Sequence, residues 1–435
     1  MSTLAQPLIK IREAIKDIKF DARKEKVPQL VLKRFIHCVE DITDVRLQGS
    51  IDYPLPYILI LAFLAILAGS DSWAEIERFS ISYKIKLNGI LPKFKGLAVP
   101  SHDTFRRVLG LLLPEELQIS AAEFLVDEVE QLKKALGLKK GLRQIALDGK
   151  EQRGTGRKYN TDQKVCNLQT LHCYDVSNGI NLASVPIDEK TNEIPTAQHL
   201  LSKMQLKDCI VTFDALNTQK ETVKIIAERK GDYVGGLKGN QQLFHKEVVE
   251  LFSDSELDSI RKKEKYYRSY SEKAHNRIEK RSYYMTTDIK WFADLKLWKK
   301  LKSFICYIVE TEDLVTHEKT IERRYYISSL TDIEVCSDAI RGHWAIESFH
   351  WHLDVTFVED DNSTMDKNAF NNLSILHKMA LSLLRLIQPH YKIGLKSLRK
   401  MFGWELIENL TVMLSLLDEE AIAEALQKPT IRKQK

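Results

Sequence analysis

Gln144-Ile145-Ala146-Leu147-Asp148-Gly149 is where the chain turns from helical patterns to strand patterns. A short apolar run that stops on an acid and a glycine has the length and the boundary of a buried β-strand. Downstream, the runs 165–174 and 180–187 flank Val176-Ser177-Asn178-Gly179, and Asn-Gly between two apolar runs signals a hairpin. A helix follows near residues 197–204. Cys209-Ile-Val-Thr-Phe-Asp214 is a second strand ending on an acid, and Thr218-Gln-Lys-Glu221 has the spacing of a capping box for a helix through Arg229. Asp232-Tyr-Val-Gly-Gly-Leu-Lys238 reads as a third strand. Hairpin, helix, strand, helix, strand specifies a mixed α/β sheet.

Upstream the pattern is helical throughout. Residues 8–48 look like amphipathic helices with a basic beginning at Lys10, Arg12, Lys16, Lys19, Arg23, Lys24 and Lys26. The apolar run 57–68 is shorter than the roughly 18–20 residues of a membrane span, which predicts a buried core helix over 54–69. Ser101-His-Asp-Thr-Phe-Arg106-Arg107 resembles an N-capped helix that leads with arginines, and another helix spans 114–136. Residues 240–320 interrupt the α/β order with a charged helix at 244–265, a basic and aromatic stretch and strand-like runs. Glu322-Arg-Arg-Tyr-Tyr returns to a strand pattern, and 368–427 is helical. The expected division is a helical region over 1–140, an α/β domain over 141–390 with an insertion at about 240–320, and a helical tail over 391–435.

Composition sets the class. The 435 residues are 44% hydrophobic with a net charge of +5, which predicts a multi-domain globular chain rather than a disordered one. The six cysteines (38, 166, 173, 209, 306 and 336) form no C-x-x-C pair, and a reduced cytoplasmic protein is expected. No signal peptide is expected at the start.

The chemistry centres on Arg341-Gly-His343-Trp-Ala-Ile-Glu347-Ser-Phe-His350-Trp351-His352-Leu-Asp354. Apolar and aromatic residues recur there at helical spacing, so Glu347 shares a face with His343, His350, Trp351 and Asp354. An acid among tryptophans is costly to bury without a charge partner or metal. Asp148 alone is the Asp of a turn-forming Asp-Gly, and Asp214 alone is a helix cap. Their order carries the weight: two strand-end aspartates followed by a glutamate on a late helix. Two-metal phosphoryl transfer needs such acids converging on Mg²⁺ or Mn²⁺, and Asp148, Asp214 and Glu347 together are the expected ligands of two ions. The spacing His343-x₃-Glu347-x₂-His350 also offers a zinc reading, but the H-E-x-x-H pattern is absent. Clusters that alternate cations with aromatics, Arg261-Lys262-Lys263-Glu-Lys-Tyr-Tyr-Arg268 and Lys273, His275, Arg277, Lys280 and Arg281, have the pattern of a nucleic-acid surface.

With these residues on the page, the chain resembles bacterial insertion-sequence transposases of the DDE superfamily, in the H-repeat-associated branch. Tyr53-Pro-Leu-Pro, Ala68-Gly-Ser-Asp-Ser-Trp-Ala-Glu-Ile and Pro100-Ser-His-Asp-Thr-Phe-Arg-Arg are similar to that branch's helical associated domain. Ala146-Leu-Asp-Gly-Lys150, Glu189-Lys-Thr-Asn-Glu-Ile, Thr212-Phe-Asp-Ala-Leu-Asn-Thr-Gln, Leu237-Lys-Gly-Asn-Gln, His343-Trp-Ala-Ile-Glu347 and Leu353-Asp-Val-Thr-Phe-Val-Glu-Asp are similar to its catalytic core. The resemblance implies a ribonuclease-H-like core with a strand-containing insertion and Asp148, Asp214 and Glu347 as metal-binding triad. It implies cleavage of double-stranded DNA at transposon ends and strand transfer into target DNA by a homodimer. Expected DNA contacts are Arg106, Arg107, Lys150, Arg153, Lys238, Arg261, Lys262, Lys263, Arg268, Arg277, Lys280 and Arg281, with His343 and Asp354 supporting the triad. Relatives outside the branch carry Tyr and Arg before the glutamate and Lys after it, where this chain has Ile340, His343 and Asp354. The alternatives are a repurposed DNA-binding relic and a metal-dependent nuclease without strand transfer.

Overall fold

The structure is a computed structural model. It describes residues 6–16, 18, 29–138, 141–155, 167–187, 192–274, 276–362 and 364–427. Lys19, Arg23, Lys24, Lys26, Cys166 and His275 lie outside the described residues.

Among the described residues six helices come first: α1 (Gln6–Lys16), α2 (Gln29–Glu40), α3 (Leu55–Leu67), α4 (Trp73–Ile90), α5 (His102–Leu111) and α6 (Pro114–Ala135). α3 is the buried helix expected from the sequence; it is apolar on every side, and all of its residues but Pro56 are buried. Ser72 and Glu75 close a capping box on α4, and the Ser101 hydroxyl accepts from the Thr104 amide at the start of α5.

The strands and helices that follow are β1 (Arg143–Gln152), β2 (Leu168–Asp175), β3 (Ile180–Ile187), α7 (Glu193–Lys203), β4 (Cys209–Phe213), α8 (Lys220–Glu228), β5 (Asp232–Leu237), α9 (Gln242–Leu251) and α10 (Asp254–Arg261). Next come β6 (Tyr267–Ala274), β7 (Arg277–Thr286), β8 (Ser303–Asp313), β9 (Lys319–Ser328) and the long α11 (Ile333–Val355). The chain closes with α12 (Lys367–Tyr391), α13 (Leu395–Trp404), α14 (Leu406–Ser415) and α15 (Glu419–Gln427).

Among the described residues the strands form one sheet in the order β3-β2-β1-β4-β5-β9-β8-β7-β6. β1 is antiparallel to β2 but parallel to β4, and β4 is parallel to β5. From β5 outward every pair is antiparallel. The strands of the 240–320 stretch are thus no separate body: through β9 they continue the sheet begun by β1. The charged helix expected at 244–265 is two helices, α9 and α10, parted at Phe252–Ser253.

Side chains alternate across β1. Ile145 and Leu147 join a core with Ala197, Leu201, Val223 and Ile226 of α7 and α8. Ala146 faces the other way, into a core with Ile346 and Phe349 of α11 and with the terminal helices. That second core runs from Ile11 to Ile422, so α12 and the helices after it pack with α1–α6 in one helical body. α11 crosses the sheet, its first half packed on β4, β5, β7 and β8 through Ile333, Cys336, Ala339 and Ile340. It lies close because a side chain at Gly342 would strike Gln144, whose amide donates to Ala339 O at 2.7 Å. No helix among the described residues is long and apolar enough to cross a membrane.

Candidate active site

Parallel pairing of β1 with β4 sets Leu147 opposite Phe213, so Asp148 and Asp214 follow at the same level of neighbouring strands. β1 does not end at Asp148; it runs on to Gln152, with Asp148 paired to His172 of β2. Asp148 is therefore a strand residue and not part of an Asp-Gly turn. Asp214 leaves β4 into a tight turn, where its Oδ1 accepts the Asn217 amide at 3.2 Å. The capping box expected at Thr218 is absent: the Thr218 hydroxyl donates to Gly236 O at 2.5 Å, tying the turn to β5.

α11 brings Glu347 over these strands. Asp214, Glu347 and His343 line one cavity of about 380 Å³ together with Lys238, Arg324 and Trp344. Glu347 is solvent-exposed rather than embedded among tryptophans, and Trp351 is 55% exposed. Helical spacing alone did not show that this face of α11 is turned to a cavity instead of the core. The Arg324 guanidinium lies over the Trp344 ring at 4.6 Å and is held by Glu322 at 2.7 and 3.0 Å.

The electrostatics mark Asp148. Burial, followed by repulsion from Glu193, Asp214 and Glu347, pushes its carboxyl up to about 7. Glu193 is also raised, by burial and by Asp214. Partial desolvation raises Glu347 against the pull of Arg324 and Lys238. Behind Asp148, His350 Nε2 sits 2.7 Å from Nδ1 of buried His172, and His350 Nδ1 is 3.6 Å from Asp148 Oδ2. Burial lowers His350 to about 3 and His343 to about 4, so both rings are neutral near pH 7. His172 has no partner at Nε2. With its proton on Nδ1, His172 donates to His350 Nε2, which places the N–H of His350 on Nδ1, the nitrogen on the side of Asp148. His343 Nδ1 pairs instead with the Thr212 hydroxyl at 3.0 Å. His343 and His350, whose spacing offered the zinc reading set aside above, thus take different partners, and among the described residues no three His, Cys, Asp or Glu side chains are already gathered as an ion cage.

The donor set nevertheless fits a hard divalent cation. Three carboxylates, Glu193, Asp214 and Glu347, bear on Asp148, and the carboxyl that suffers the repulsion is the one an ion would relieve. Glu193, in the Thr-Asn-Glu-Ile motif, gives no catalytic signal by sequence alone, because an acid at the first position of a helix looks like ordinary helix-end chemistry.

Several expected DNA contacts are engaged elsewhere. Lys150 is buried, its Nζ 2.6 Å from Asp354 Oδ1 and 3.6 Å from both Glu359 and Asp360. Through that lysine Asp354 of α11 is joined to the strand that carries Asp148. Arg268 is bound by Glu334 and Asp338, and Arg281 by Glu272, Glu279 and Tyr307. Lys280 pairs with Glu310, Arg277 with Asp313, Arg261 with Asp258 and the Tyr284 hydroxyl, and Arg106 with Asp103, all toward the surface. Arg107, Arg153, Lys238, Lys262 and Lys263 are exposed. Charge runs show that cations are present, but the partners of Arg268, Arg277 and Lys280 lie on α11 or across the β7–β8 pair, far away in sequence.

Comparison with known proteins agrees with this architecture. The family described as "Transposase DDE domain" matches residues 139–383, and the one described as "DDE_Tnp_1-associated" matches 36–125. YncI of Escherichia coli O157:H7 is 32% identical over 380 residues, 85% of this chain and 91% of its own. The H repeat-associated YhhI of Escherichia coli strain K12 is 29% identical over 378 residues, 85% of this chain and 94% of its own. Both bear the name "putative transposase". A solved piggyBac transposase synaptic complex with hairpin DNA aligns over 95% of this chain and 85% of its own at 11% identity and a TM-score of 0.39, too remote to bear on the site. The chain belongs to the DDE transposase family, in its H-repeat-associated branch.

Proposed function

We propose that the protein is an active DNA transposase: it cuts double-stranded DNA at transposon ends and joins the freed 3′-hydroxyl to target DNA. The observation that carries this reading is the meeting of Asp148 and Asp214, level on adjacent parallel strands, with Glu347 on the helix that crosses them. The order β3-β2-β1-β4-β5, antiparallel across the first two pairs and parallel across the next two, supports a ribonuclease-H-like core. Asp148, Asp214 and Glu347 would hold Mg²⁺ or Mn²⁺. Such ions, when bound, lower the pKa of the attacking oxygen and stabilise the leaving one.

The chain's own residues do the rest. Lys238 and Arg324 form the cationic wall of the cavity and orient a phosphate toward the acids. Arg324 is already braced by Glu322, so it is pre-positioned. Neutral His350, its Nδ1 3.6 Å from Asp148 Oδ2, stands behind that acid without adding a charge beside it. Arg107, Lys262 and Lys263 extend the DNA-facing charge. Joining two transposon ends implies a homodimer on DNA, acting in the cytoplasm on the nucleoid.

The test is incubation of purified protein with labelled DNA carrying the gene's flanks and a supercoiled target plasmid, with Mg²⁺ or Mn²⁺. Discrete end cuts and label joined to the plasmid are expected. Cutting without joining would leave only a nuclease, and binding without cutting would identify a DNA-binding relic.

A further inference from the structure

The fold spends two separate features on Glu193, in the motif Thr191-Asn192-Glu193-Ile194. It is the first residue of α7, and the Asn192 side chain caps that helix by accepting from the Ile194 amide at 3.1 Å. Glu193 Oε1 accepts from Nδ2 of fully buried Asn217 at 2.5 Å. The same amide nitrogen is 3.5 Å from Asp214 Oδ1, so one buried side chain holds two acids from different elements. Asn217 Oδ1 itself has no partner. On the other side stands Gly149, the residue after Asp148. A methyl group at Gly149 would collide with Glu193 Oε2, so this glycine makes the room the carboxylate fills.

Among the described residues no Lys or Arg pairs with Glu193. A carboxylate drawn close to two other acids, with an amide to hold it and no cation to neutralise it, is costly to keep. That arrangement suits an acid waiting for a metal ion. It also approaches from the α7 face of the sheet, while Glu347 approaches from the α11 face, so the acids flank the middle of β1 and the end of β4 on both sides.

We propose that Glu193 is a fourth carboxylate of the divalent-ion site, aimed by Asn217 and given its room by Gly149. This rests on the reading of Asp148, Asp214 and Glu347 as ion ligands. The ligand class is a hard cation such as Mg²⁺ or Mn²⁺.

The experiment is calorimetric titration of the full chain with Mn²⁺, without DNA, on the wild type, Glu193→Gln, Gly149→Ala and Glu347→Gln. Glu193→Gln is expected to weaken Mn²⁺ at least tenfold while its melting temperature in EDTA is not lowered. Gly149→Ala keeps every acid but pushes the Glu193 carboxylate aside, and is expected to weaken Mn²⁺ in the same direction. If both variants bind Mn²⁺ as the wild type does while Glu347→Gln loses it, the fourth ligand is refuted and the triad stands. If the wild type binds no Mn²⁺, the triad and the fourth ligand fall together.

Discussion

Lys150 Nζ lies 2.6 Å from Asp354 Oδ1, and this contact ties the strand carrying Asp148 to the helix carrying Glu347. Glu359, 1% exposed, and Asp360 reinforce it from the turn after α11. That turn holds Val358 at φ 45°, a conformation a β-branched residue adopts only under constraint. Burial would lower the Lys150 pKa, but Glu359, Asp354 and Asp360 outweigh it and the net shift is upward. Lys150→Met is expected to cost roughly 3 kcal/mol, the usual penalty for stranding one side of a buried pair. Urea unfolding measures it, and DNA cleavage should fall in the same variant; an unchanged unfolding midpoint would show that the tie contributes nothing.

Asp148 carries a second stability consequence. Its carboxyl is raised to about 7, so the ion-free folded protein binds a proton there that the unfolded chain releases near 3.8. Stability from this group is full below pH 3.8 and is lost as pH rises through 7. Asp148→Asn is therefore expected to stabilise the EDTA-treated protein at pH 8, by roughly 2 kcal/mol, about half of what the whole shift allows. No gain is expected at pH 4. Thermal melts at the two pH values decide it.

Acid should unfold the protein from the opposite cause. His377 is buried against Phe357, neither ring nitrogen has a partner, and burial holds its pKa well below 6.5. The unfolded chain takes up that proton first, so stability falls as pH drops below about 6.5, by about 1.4 kcal/mol per unit for each such group. His377→Leu should flatten part of that fall, and an unaltered pH slope would rule this histidine out.

DNA affinity should separate free cations from committed ones. Lys238→Ala and Arg107→Ala are each expected to reduce the slope of log K against log salt by about 1. Arg281→Ala, which removes a side chain already bound by Glu272 and Glu279, should instead lower stability and leave the salt slope unchanged. Mobility-shift titrations at several salt concentrations measure both.

The sheet was legible because its central strands are local patterns. Ile145–Asp148 and Cys209–Asp214 are short apolar runs closed by an acid, and Asn178-Gly179 marks the hairpin between β2 and β3. What stayed hidden depends on contacts distant in sequence. Nothing near Lys150 announces Asp354, nothing near Arg268 announces Asp338, and Glu193 reads as a helix start until Asn217 and Gly149 are seen beside it. The exposure of Glu347 was hidden for the same reason: spacing gives a helix its faces but not what each face meets.

The most direct test of the central claim is cleavage of end-labelled DNA carrying the gene's own flanks, comparing wild type with Glu347→Gln at equal DNA occupancy. Cuts at discrete positions that require Mg²⁺ or Mn²⁺ and vanish in Glu347→Gln, with DNA binding retained, are the expected result. Cleavage that persists in Glu347→Gln, or in excess EDTA, would contradict it.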